Sequence, residues 1–256
     1  MAHLLKLYAE KEHIRMDKIQ DIELRIGDTV AFGRLNGKEY GEAEGRAIRW
    51  RVVDTQDNKA FLVAEQYVGR QPYRSDVSNV GVTGAGAWGT FNELRRWLNK
   101  DFRKRSFDSK DHMRLERDEN NDYITLLTAE EAKRYFETDV DRRLQYAYES
   151  DMKNLDKLKS EYQGLEEGGK LFDRMRTAKR KKELENWISN WHEWSGWWLR
   201  PTGYQIADKY VPYVAGDGSI RTEGLYTAED GSLKRGGMYA SRQLYVRPAM
   251  WIITKA

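Results

Sequence analysis

The stretch from Gly84 to Gly89 reads GAGAWG and has the spacing G-x-G-x-x-G. In dinucleotide-binding folds, this spacing lets a pyrophosphate approach the backbone at the start of a helix. The motif has to follow a buried strand, but the preceding residues, YRSDVSNVGVT, are polar, and the ring of Trp88 would crowd the ligand. We therefore interpret the stretch as a loop that leads to a helix, with Trp88 anchoring the loop to the core.

The residues and motifs that several other catalytic mechanisms require are absent from this sequence. It contains no cysteine, which excludes disulfides, thiol catalysis and zinc–thiolate sites. The motifs G-x-S-x-G and H-E-x-x-H are absent, and His3, His13, His112 and His192 lie in separate contexts. Two converging carboxylates could still support a hydrolase, which stays open as an alternative. The favoured prediction is a protein that is not an enzyme and that uses no cofactor and no metal.

The region 203–246 combines tyrosine with serine, arginine and glycine. This composition is typical of binding surfaces, because tyrosine is a rigid anchor and small polar residues adapt to a partner. The alternative is that the tyrosines fill half-buried strand positions, and Tyr245, next to the closing strand, is the weakest candidate. The predicted ligand contacts are Tyr204, Gln205, Tyr210, Tyr213, Ser219, Arg221, Tyr226, Tyr239, Ser241 and Arg242.

A second group of large side chains is predicted to form the scaffold. The tryptophans between Trp187 and Trp198 could stack on a sugar, but a run of this density favours a core. Arg200 and Arg247 are expected to form buried ion pairs or to bond backbone carbonyls, with an anion site as the alternative. The predicted scaffold residues are Trp50, Trp88, Trp97, Trp197, Trp198, Arg200, Arg247 and Trp251.

Two charged stretches suggest other partners. RMRTAKRKK at 174–182 could bind nucleic acid or an acidic protein, but glutamates flank it, which favours a solvated helix face. DENNDY at 118–123 clusters oxygen ligands without the register of a calcium loop, which favours a tight turn before a strand.

The overall composition is that of a polar, folded chain. The net charge is +3 over 256 residues, which is too small to require a nucleic-acid partner, and 12% aromatic content argues against disorder. No apolar run approaches the roughly 20 residues of a membrane span. The first residues lack the pattern of a signal peptide, so we expect a cytoplasmic protein or a component of a phage particle rather than a secreted one.

The elements that would position these residues are short. Residues 1–20 are predicted to form an amphipathic helix, and DIELRIGDTVAFGRL to form one or two strands. A hairpin is predicted from Ala47 to Val68, with the turn at TQDNK, and a polar loop from Gly69 to Gly89. Residues 140–190 have helical spacing and a glycine pair, which predicts a charged helical hairpin inserted in the domain.

Two helix starts have the spacing of a capping box. Thr90 and Glu93 precede an apolar-periodic segment, and Thr128 and Glu131 precede another. We therefore predict that helices begin at these two places.

Six segments of the chain resemble, in order and in spacing, an uncharacterised domain family of bacteria and phages. The resemblance extends from about residue 22 to the end, apart from the inserted hairpin, and RPTG stands where the family pattern has Arg-Ser-Pro-Gly. The segments are GDTVAFG at 27–33, IRWRVVD…NKAFLVAE at 48–65, AWGTFNELRRWLNKDF…SF at 87–107, DYITLLTAEEAKRYF at 122–136, WWLRPTG at 197–203 and VRPAMWI at 246–252.

The resemblance implies an α+β fold similar to C-type lectins and to formylglycine-generating enzymes. The terminal strands of that fold pair, and a loop-rich C-terminal region forms the ligand face, so that residues 21–256 would be one domain interrupted by 140–190. Formylglycine chemistry depends on cysteine, which this chain lacks.

Some members of the family look like variable proteins of diversity-generating retroelements, which mutate codons near the C-terminus. The resemblance therefore implies a non-enzymatic ligand-binding or display protein. Its partner would be a protein or a glycan on a cell surface, and the N-terminal helix and the helical hairpin are plausible surfaces for assembly into an oligomer.

Overall fold

The computed structural model describes most of the chain and shows a mixed α+β fold that is rich in sheet and includes a curled half-barrel sheet. The described residues are 14–15, 23–35, 45–75, 88–89, 92–164, 178–185, 188, 195–202, 210–222, 225–227 and 233–254. The chain divides into two compact units. The first comprises Met1–Gly69, Trp88–Leu127 and Arg247–Ala256, and the second comprises Arg70–Ala87 and Thr128–Val246.

The strands of the described residues lie mainly in two groups, before and after a largely helical middle segment. The strands are β1 (Ile14–Arg15), β2 (Thr29–Arg34), β3 (Ala47–Gln56), β4 (Lys59–Ala64), β5 (Arg70–Pro72), β6 (Leu115–Glu116), β7 (Trp197–Trp198), β8 (Tyr210–Val211), β9 (Tyr213–Val214), β10 (Ile220–Arg221), β11 (Leu225–Thr227), β12 (Leu233–Arg235), β13 (Met238–Tyr239), β14 (Gln243–Tyr245) and β15 (Ala249–Ile253). The helices are α1 (Glu93–Trp97), a π-helical turn (Leu98–Phe102), α2 (Arg103–Ser106), α3 (Ser109–His112), α4 (Ala129–Tyr135), α5 (Asp139–Arg142), α6 (Gln145–Gly164) and α7 (178–185).

The first unit contains a sheet in the order β1-β2-β3-β4-β15-β6, with the β3–β4 hairpin near its centre. Ile48, Trp50 and Val52 are fully buried on one face, as the alternation predicts. The indole N–H of Trp50 donates to the Phe32 carbonyl at 2.7 Å, so its polar group is satisfied in the core. The hairpin is confirmed, although its strands extend into the predicted turn and leave only Asp57 and Asn58 between them.

The pairing of the last strand differs from the prediction. β15 lies between β4 and β6, so the predicted pairing of the terminal strands is wrong: β2 shares the sheet with β15, but β3 and β4 separate them. The reason is that the β3–β4 hairpin forms between neighbours in sequence and leaves one edge of β4 for β15.

The N-terminal segment also differs from the predicted helix. Ile14 and Arg15 form β1, which pairs in parallel with Val30 and Ala31 of β2, because the edge of β2 offers backbone hydrogen-bonding groups. The rest of residues 1–22 lies outside the described residues.

The helix after the glycine-rich loop begins at Glu93 rather than at the predicted capping box. Asn92 is its N-cap, and the Asn92 side chain accepts a hydrogen bond from the Arg95 amide at 2.9 Å. Glu93 is thus the first residue of the helix and not the third, so a capping box between Thr90 and Glu93 does not fit this start. Thr90 itself lies outside the described residues. The second predicted capping box, between Thr128 and Glu131, is confirmed at the start of α4.

The second unit contains a sheet in the order β10-β9-β7-β14-β5. Trp197 of β7 is at its centre, opposite Val214 of β9 on one side and Tyr245 of β14 on the other. β5 lies within the stretch that was predicted as a polar loop. Its partner β14 is distant in sequence, so no local pattern indicated the strand.

Two helices of the second unit lie in the segment predicted as a helical hairpin. Arg180 of α7 forms an ion pair with Glu161 of α6 at 2.8 Å, and the Tyr162 hydroxyl donates to Glu185 at 2.7 Å. These contacts join α6 to α7, while the predicted turn at Gly168–Gly169 lies outside the described residues. None of the helices that the structure describes is both long enough and apolar enough to cross a bilayer.

Two glycines of the first unit offer a matched test of close packing. Gly33 and Gly27 both have positive φ, at +71° and +97°. A Cβ at Gly33 would lie 2.6 Å from the Phe107 ring and 2.8 Å from the Ser106 carbonyl oxygen, whereas a Cβ at Gly27 would meet nothing within 4 Å. We expect Gly27→Ala to lower the free energy of unfolding by about 1 kcal/mol, from backbone strain alone. Gly33→Ala should lower it by about 2–4 kcal/mol, because overpacking adds to the strain. Urea denaturation measures both losses, and equal losses would contradict the contact at Gly33.

Candidate ligand-binding face

Most of the predicted ligand contacts that the structure describes are accessible on short strands and turns of the second unit. Arg242 is exposed, and five other residues are half-exposed: Tyr210, Ser219, Arg221, Tyr239 and Ser241. Tyr204 and Gln205 lie outside the described residues. Tyr226 lies in β11, where its partner across the ladder is Lys234 of β12.

Tyr210 and Tyr239 stand opposite each other in the antiparallel pair of β8 and β13. Their ring centroids are 5.6 Å apart with an interplanar angle of 75°, an edge-to-face arrangement that favours aromatic pairs. The neighbouring residues Val211 and Met238 are buried, so the strands alternate between core and surface.

The chain turns directly after this aromatic pair. The Arg242 amide donates to the Tyr239 carbonyl at 2.9 Å, which closes the turn that carries Ser241 and Arg242. Tyr210, Tyr239, Ser241 and Arg242 are therefore held on one local backbone framework, which we call the Tyr210–Tyr239 patch.

The hairpin of β9 and β10 carries the other two accessible candidates. The Asp217 carboxylate accepts hydrogen bonds from the Ser219 amide at 2.9 Å and from the Ser219 hydroxyl at 2.6 Å. Arg221 stands opposite Tyr213 in the ladder. The Ser219 hydroxyl therefore stabilises the turn 215–219, in addition to any contact that it makes with a ligand.

Tyr213 is not on the surface. Only 4% of it is exposed, and it stands opposite Trp198 in the ladder of β9 and β7. Its burial removes it from the predicted ligand contacts, because the run from Val211 to Ala215 packs into the core rather than alternating. Tyr245 is also buried, beneath the Arg70 guanidinium at 4.7 Å, in line with its place as the weakest candidate.

Arg142 holds the turn 215–219, a role that no local pattern around it indicates. The Arg142 guanidinium is largely buried, and it donates to the Gly218 carbonyl at 3.0 Å and to the Phe136 carbonyl at 2.6 Å. It also forms an ion pair with Asp139. The carbonyl of Arg142 accepts a hydrogen bond from the Trp197 indole at 3.0 Å. One residue thus connects α5, the turn and β7.

Two further features fix the same turn to α5. Arg143 donates from Nε to the Asp217 carbonyl at 2.9 Å. Gly218 has φ +91°, and a Cβ there would overlap the Asp139 carbonyl at 1.7 Å, so this close approach requires glycine. Neither arginine has a motif around it that distinguishes it from the other charged residues of this segment.

Trp197 and Trp198 are core residues, with 1% or less of each exposed. The Trp198 indole donates to the Gln71 carbonyl at 2.8 Å, and its ring lies 5.6 Å from that of Tyr73. Neither ring is available to stack on a sugar. The remaining tryptophans of the predicted cluster, Trp187, Trp191 and Trp194, lie outside the described residues.

The other predicted scaffold residues pack within their own units. Trp50 is buried, and Trp97 is half-buried and stacks on Phe102 with centroids 5.6 Å apart. Trp251 is half-buried against Phe61, with centroids 4.9 Å apart.

Arg200 and Arg247 have structural partners. Arg200 lies 3.6 Å from Glu131, and Arg247 donates from Nε to the Ala64 carbonyl at 2.8 Å. Burial lowers the pKa of Arg247 to about 9, with repulsion from Arg51 adding to the effect and Glu65 opposing it. Arg247 is therefore buried and bonds a backbone carbonyl, which is one of the two arrangements expected for it.

The acidic stretch 118–123 forms a tight turn, as predicted. The Asp118 side chain accepts from the amides of Asn120 and Asp122, each at 2.9 Å. The Asp122 carboxylate accepts a hydrogen bond from the Trp88 indole N–H at 3.0 Å and another from Arg95 Nε at 2.7 Å. Burial raises the pKa of Asp122, although the hydrogen bond from Arg95 opposes the rise. The hydrogen bond to Asp122 anchors Trp88 as predicted. Within the described ranges, no group of three His, Asp or Glu side chains is placed so that it could hold a metal ion.

The basic stretch 174–182 is described from residue 178 onward. There, Arg180 lies 2.8 Å from Glu161 and 3.6 Å from Glu183, and Lys181 lies over the Tyr162 ring at 4.8 Å. Part of the positive charge is therefore engaged within the protein, as expected of a solvated helix face.

We predict that Arg142→Met lowers the free energy of unfolding by about 2–4 kcal/mol, because hydrogen bonds from a charged donor to buried carbonyls are lost. Hydrogen exchange at the Gly218 and Ser219 amides should quicken in the same variant. Urea denaturation and exchange measured by nuclear magnetic resonance test both effects.

The matched control is Arg134→Met, which removes an exposed arginine from α4. It should change the stability by less than about 0.5 kcal/mol. An Arg142 variant no less stable than this control would show that the buried guanidinium does not hold the turn.

Comparison with protein families shows a family to which the chain belongs. A family model described as "Domain of unknown function (DUF6273)" matches residues 57–254. The match begins in the turn between β3 and β4 and extends past the end of β15, so it includes the whole second unit and the helices α6 and α7. Neither the curated proteins nor the solved structures give a match to the chain.

Proposed function

The chain belongs to the family described as "Domain of unknown function (DUF6273)", and we propose that it is a non-enzymatic ligand-binding or display protein. Its binding surface would be the accessible part of residues 203–246, and its partner a protein or a glycan. The observation that carries the proposal is the Tyr210–Tyr239 patch, which combines two half-exposed aromatic rings with a serine and an exposed arginine.

The chemistry of this patch suits recognition. Tyrosine rings bury a large area at a small cost in conformational entropy, and their hydroxyls keep a polar contact available. Arginine adds a planar donor, and tyrosine and arginine are enriched among the residues that dominate binding energies. A protein surface and a glycan both offer the apolar faces and hydroxyl or carbonyl groups that such a patch contacts.

The support beneath the surface favours binding with little rearrangement. Arg142 and Arg143 hold the turn 215–219 by its carbonyl groups, and hydrogen bonds from Trp197 and Trp198 tie β7 to neighbouring segments. Because these bonds lie within the protein itself, the turn and β7 would need little ordering on binding. The basic-hairpin alternative has less support, since Arg180 already pairs with two glutamates.

The finer proposal is a C-type-lectin-like domain, in the broad sense of a sheet with a loop-rich C-terminal excursion. It is supported by the last strand β15 returning to the sheet of β3 and β4 after the excursion of the second unit. In this proposal the protein is the variable protein of a diversity-generating retroelement, and the accessible tyrosine, serine and arginine positions are those that vary.

We expect a ligand found by glycan and protein arrays to depend on the Tyr210–Tyr239 patch. Tyr210→Ala and Tyr239→Ala should each weaken binding by about 2 kcal/mol, roughly thirtyfold, because each removes an aromatic anchor. Surface plasmon resonance with the captured ligand measures the loss. Tyr135→Ala, which removes a half-exposed tyrosine of α4 outside the region, is the control and should bind normally. Unchanged affinity in both patch variants would place the binding surface elsewhere.

The retroelement proposal has a genetic test. Sequencing of the DNA around the gene should find a reverse transcriptase and a near-copy of the codons for residues 203–246 that differs mainly at adenines. The mismatched codons should fall on accessible positions such as Tyr239 and Arg242 and should spare the buried Tyr213. The absence of both elements would exclude diversification. The proposal would then be that the protein binds one unvarying ligand.

A further inference from the structure

Two arginines and a tyrosine from separate segments of the first unit converge at one place. Arg103 begins α2, Arg117 follows β6, and Tyr123 ends the tight turn 118–123. The guanidinium carbon of Arg103 lies 4.3 Å from the centroid of the Tyr123 ring, and that of Arg117 lies 4.5 Å from it. Arg103 and Tyr123 are half-buried and Arg117 is exposed, so a ligand can reach the cluster.

The backbone around the cluster is fixed by Asn99. The Asn99 side chain accepts from the Tyr123 amide at 2.9 Å and from the Ile124 amide at 3.1 Å, and it donates to the Ile124 carbonyl at 2.8 Å. Arg103 lies four residues after Asn99 on the same continuous helical segment, which directs both side chains to one face.

Arg117 is oriented from its other side. It donates from Nη1 to the Asn121 side chain at 2.5 Å, and Asn121 lies in the same tight turn as Tyr123. The three functional groups are thus set in place by the protein rather than brought together by a ligand, which lowers the ordering cost of binding.

The two guanidinium groups of the cluster have no carboxylate partner among the residues that the structure describes. Within the described parts of the chain, neither Arg103 nor Arg117 forms an ion pair with a carboxylate, and Nε of Arg103 is buried without a hydrogen-bond partner. Two guanidinium groups without a carboxylate partner would be stabilised by an external anion, which would contact their outer nitrogen atoms and not the buried Nε.

We propose that Arg103, Arg117 and Tyr123 form a binding site for a phosphate group, carried either by inorganic phosphate or by a small phosphate monoester. Two guanidinium forks offer more N–H donors than a carboxylate can accept, whereas a phosphate presents three or four oxygens to them. The phenol hydroxyl of Tyr123 adds one donor. The three residues belong to the first unit, whereas the residues of the proposed ligand face belong to the second.

The electrostatics of Tyr123 agree with this assignment. Its pKa is lowered from the ordinary value of a phenol, chiefly because Arg117 stabilises the phenolate by hydrogen bonding and by charge, with Arg103 adding to the effect. The cluster therefore already favours negative charge at this position.

The test is calorimetric titration of the full chain with inorganic phosphate at constant ionic strength near neutral pH. We expect saturable binding that Arg117→Gln and Arg103→Gln each weaken at least about tenfold, because each removes charge-assisted hydrogen bonds. Arg117 is exposed, so its variant tests the site even if Arg103→Gln does not fold, and circular dichroism checks the fold of both.

The matched control is Lys104→Gln, which removes one exposed positive charge next to Arg103 and should change the affinity by less than about twofold. Glycerol 3-phosphate, titrated in parallel, distinguishes the sources: tighter binding than that of inorganic phosphate identifies a monoester, and equal or weaker binding identifies free phosphate. The proposal is overturned if neither compound binds, if acetate binds as tightly as phosphate, or if Lys104→Gln is as harmful as the site variants.

Discussion

The buried guanidinium of Arg142 is the interaction on which the turn 215–219 of the second unit depends. Removing a cation from water is costly unless its donors find acceptors, so a buried arginine must be surrounded by fixed oxygen atoms. Arg142 finds two of them in the backbone carbonyls of Phe136 and Gly218, which belong to separate segments. Because a guanidinium is planar and rigid, satisfying its donors also sets the orientation of those segments. The turn 215–219 is positioned by this requirement.

The first unit uses the same kind of constraint with other residues. Asp122 accepts from Trp88 and Arg95, and Asn99 bonds the backbone on both sides of Ile124. In both units, therefore, polar side chains that bond the backbone or one another fix segments that belong to no sheet. A loop fixed in this way is preorganised, and this property favours the turn 215–219 and the arginine–tyrosine cluster as binding sites.

Local patterns predicted what local interactions build. Alternation of Ile48, Trp50 and Val52 predicted the β3–β4 hairpin, and Thr-x-x-Glu predicted the start of α4 at Thr128. The failures concern contacts between distant residues. β5 pairs with β14, and neither segment alone contains a pattern that predicts this pairing or its register. Tyr213 fits a surface by its residue type, but packing of the whole run from Val211 to Ala215 buries it.

The sequence by itself determined the hairpin, the start of α4 and the composition of the binding region, because periodicity and capping depend on neighbouring residues. The resemblance of its motifs to a known family implied the α+β character. Only the tertiary structure decided which tyrosines are accessible, that β15 lies beside β4, and that Arg142 and Arg103 have different surroundings. Those two arginines look alike in the sequence. Arg142 donates to two backbone carbonyl groups, whereas Arg103 lies over the Tyr123 ring and its Nε has no hydrogen-bond partner. This difference arises from segments that folding brings together.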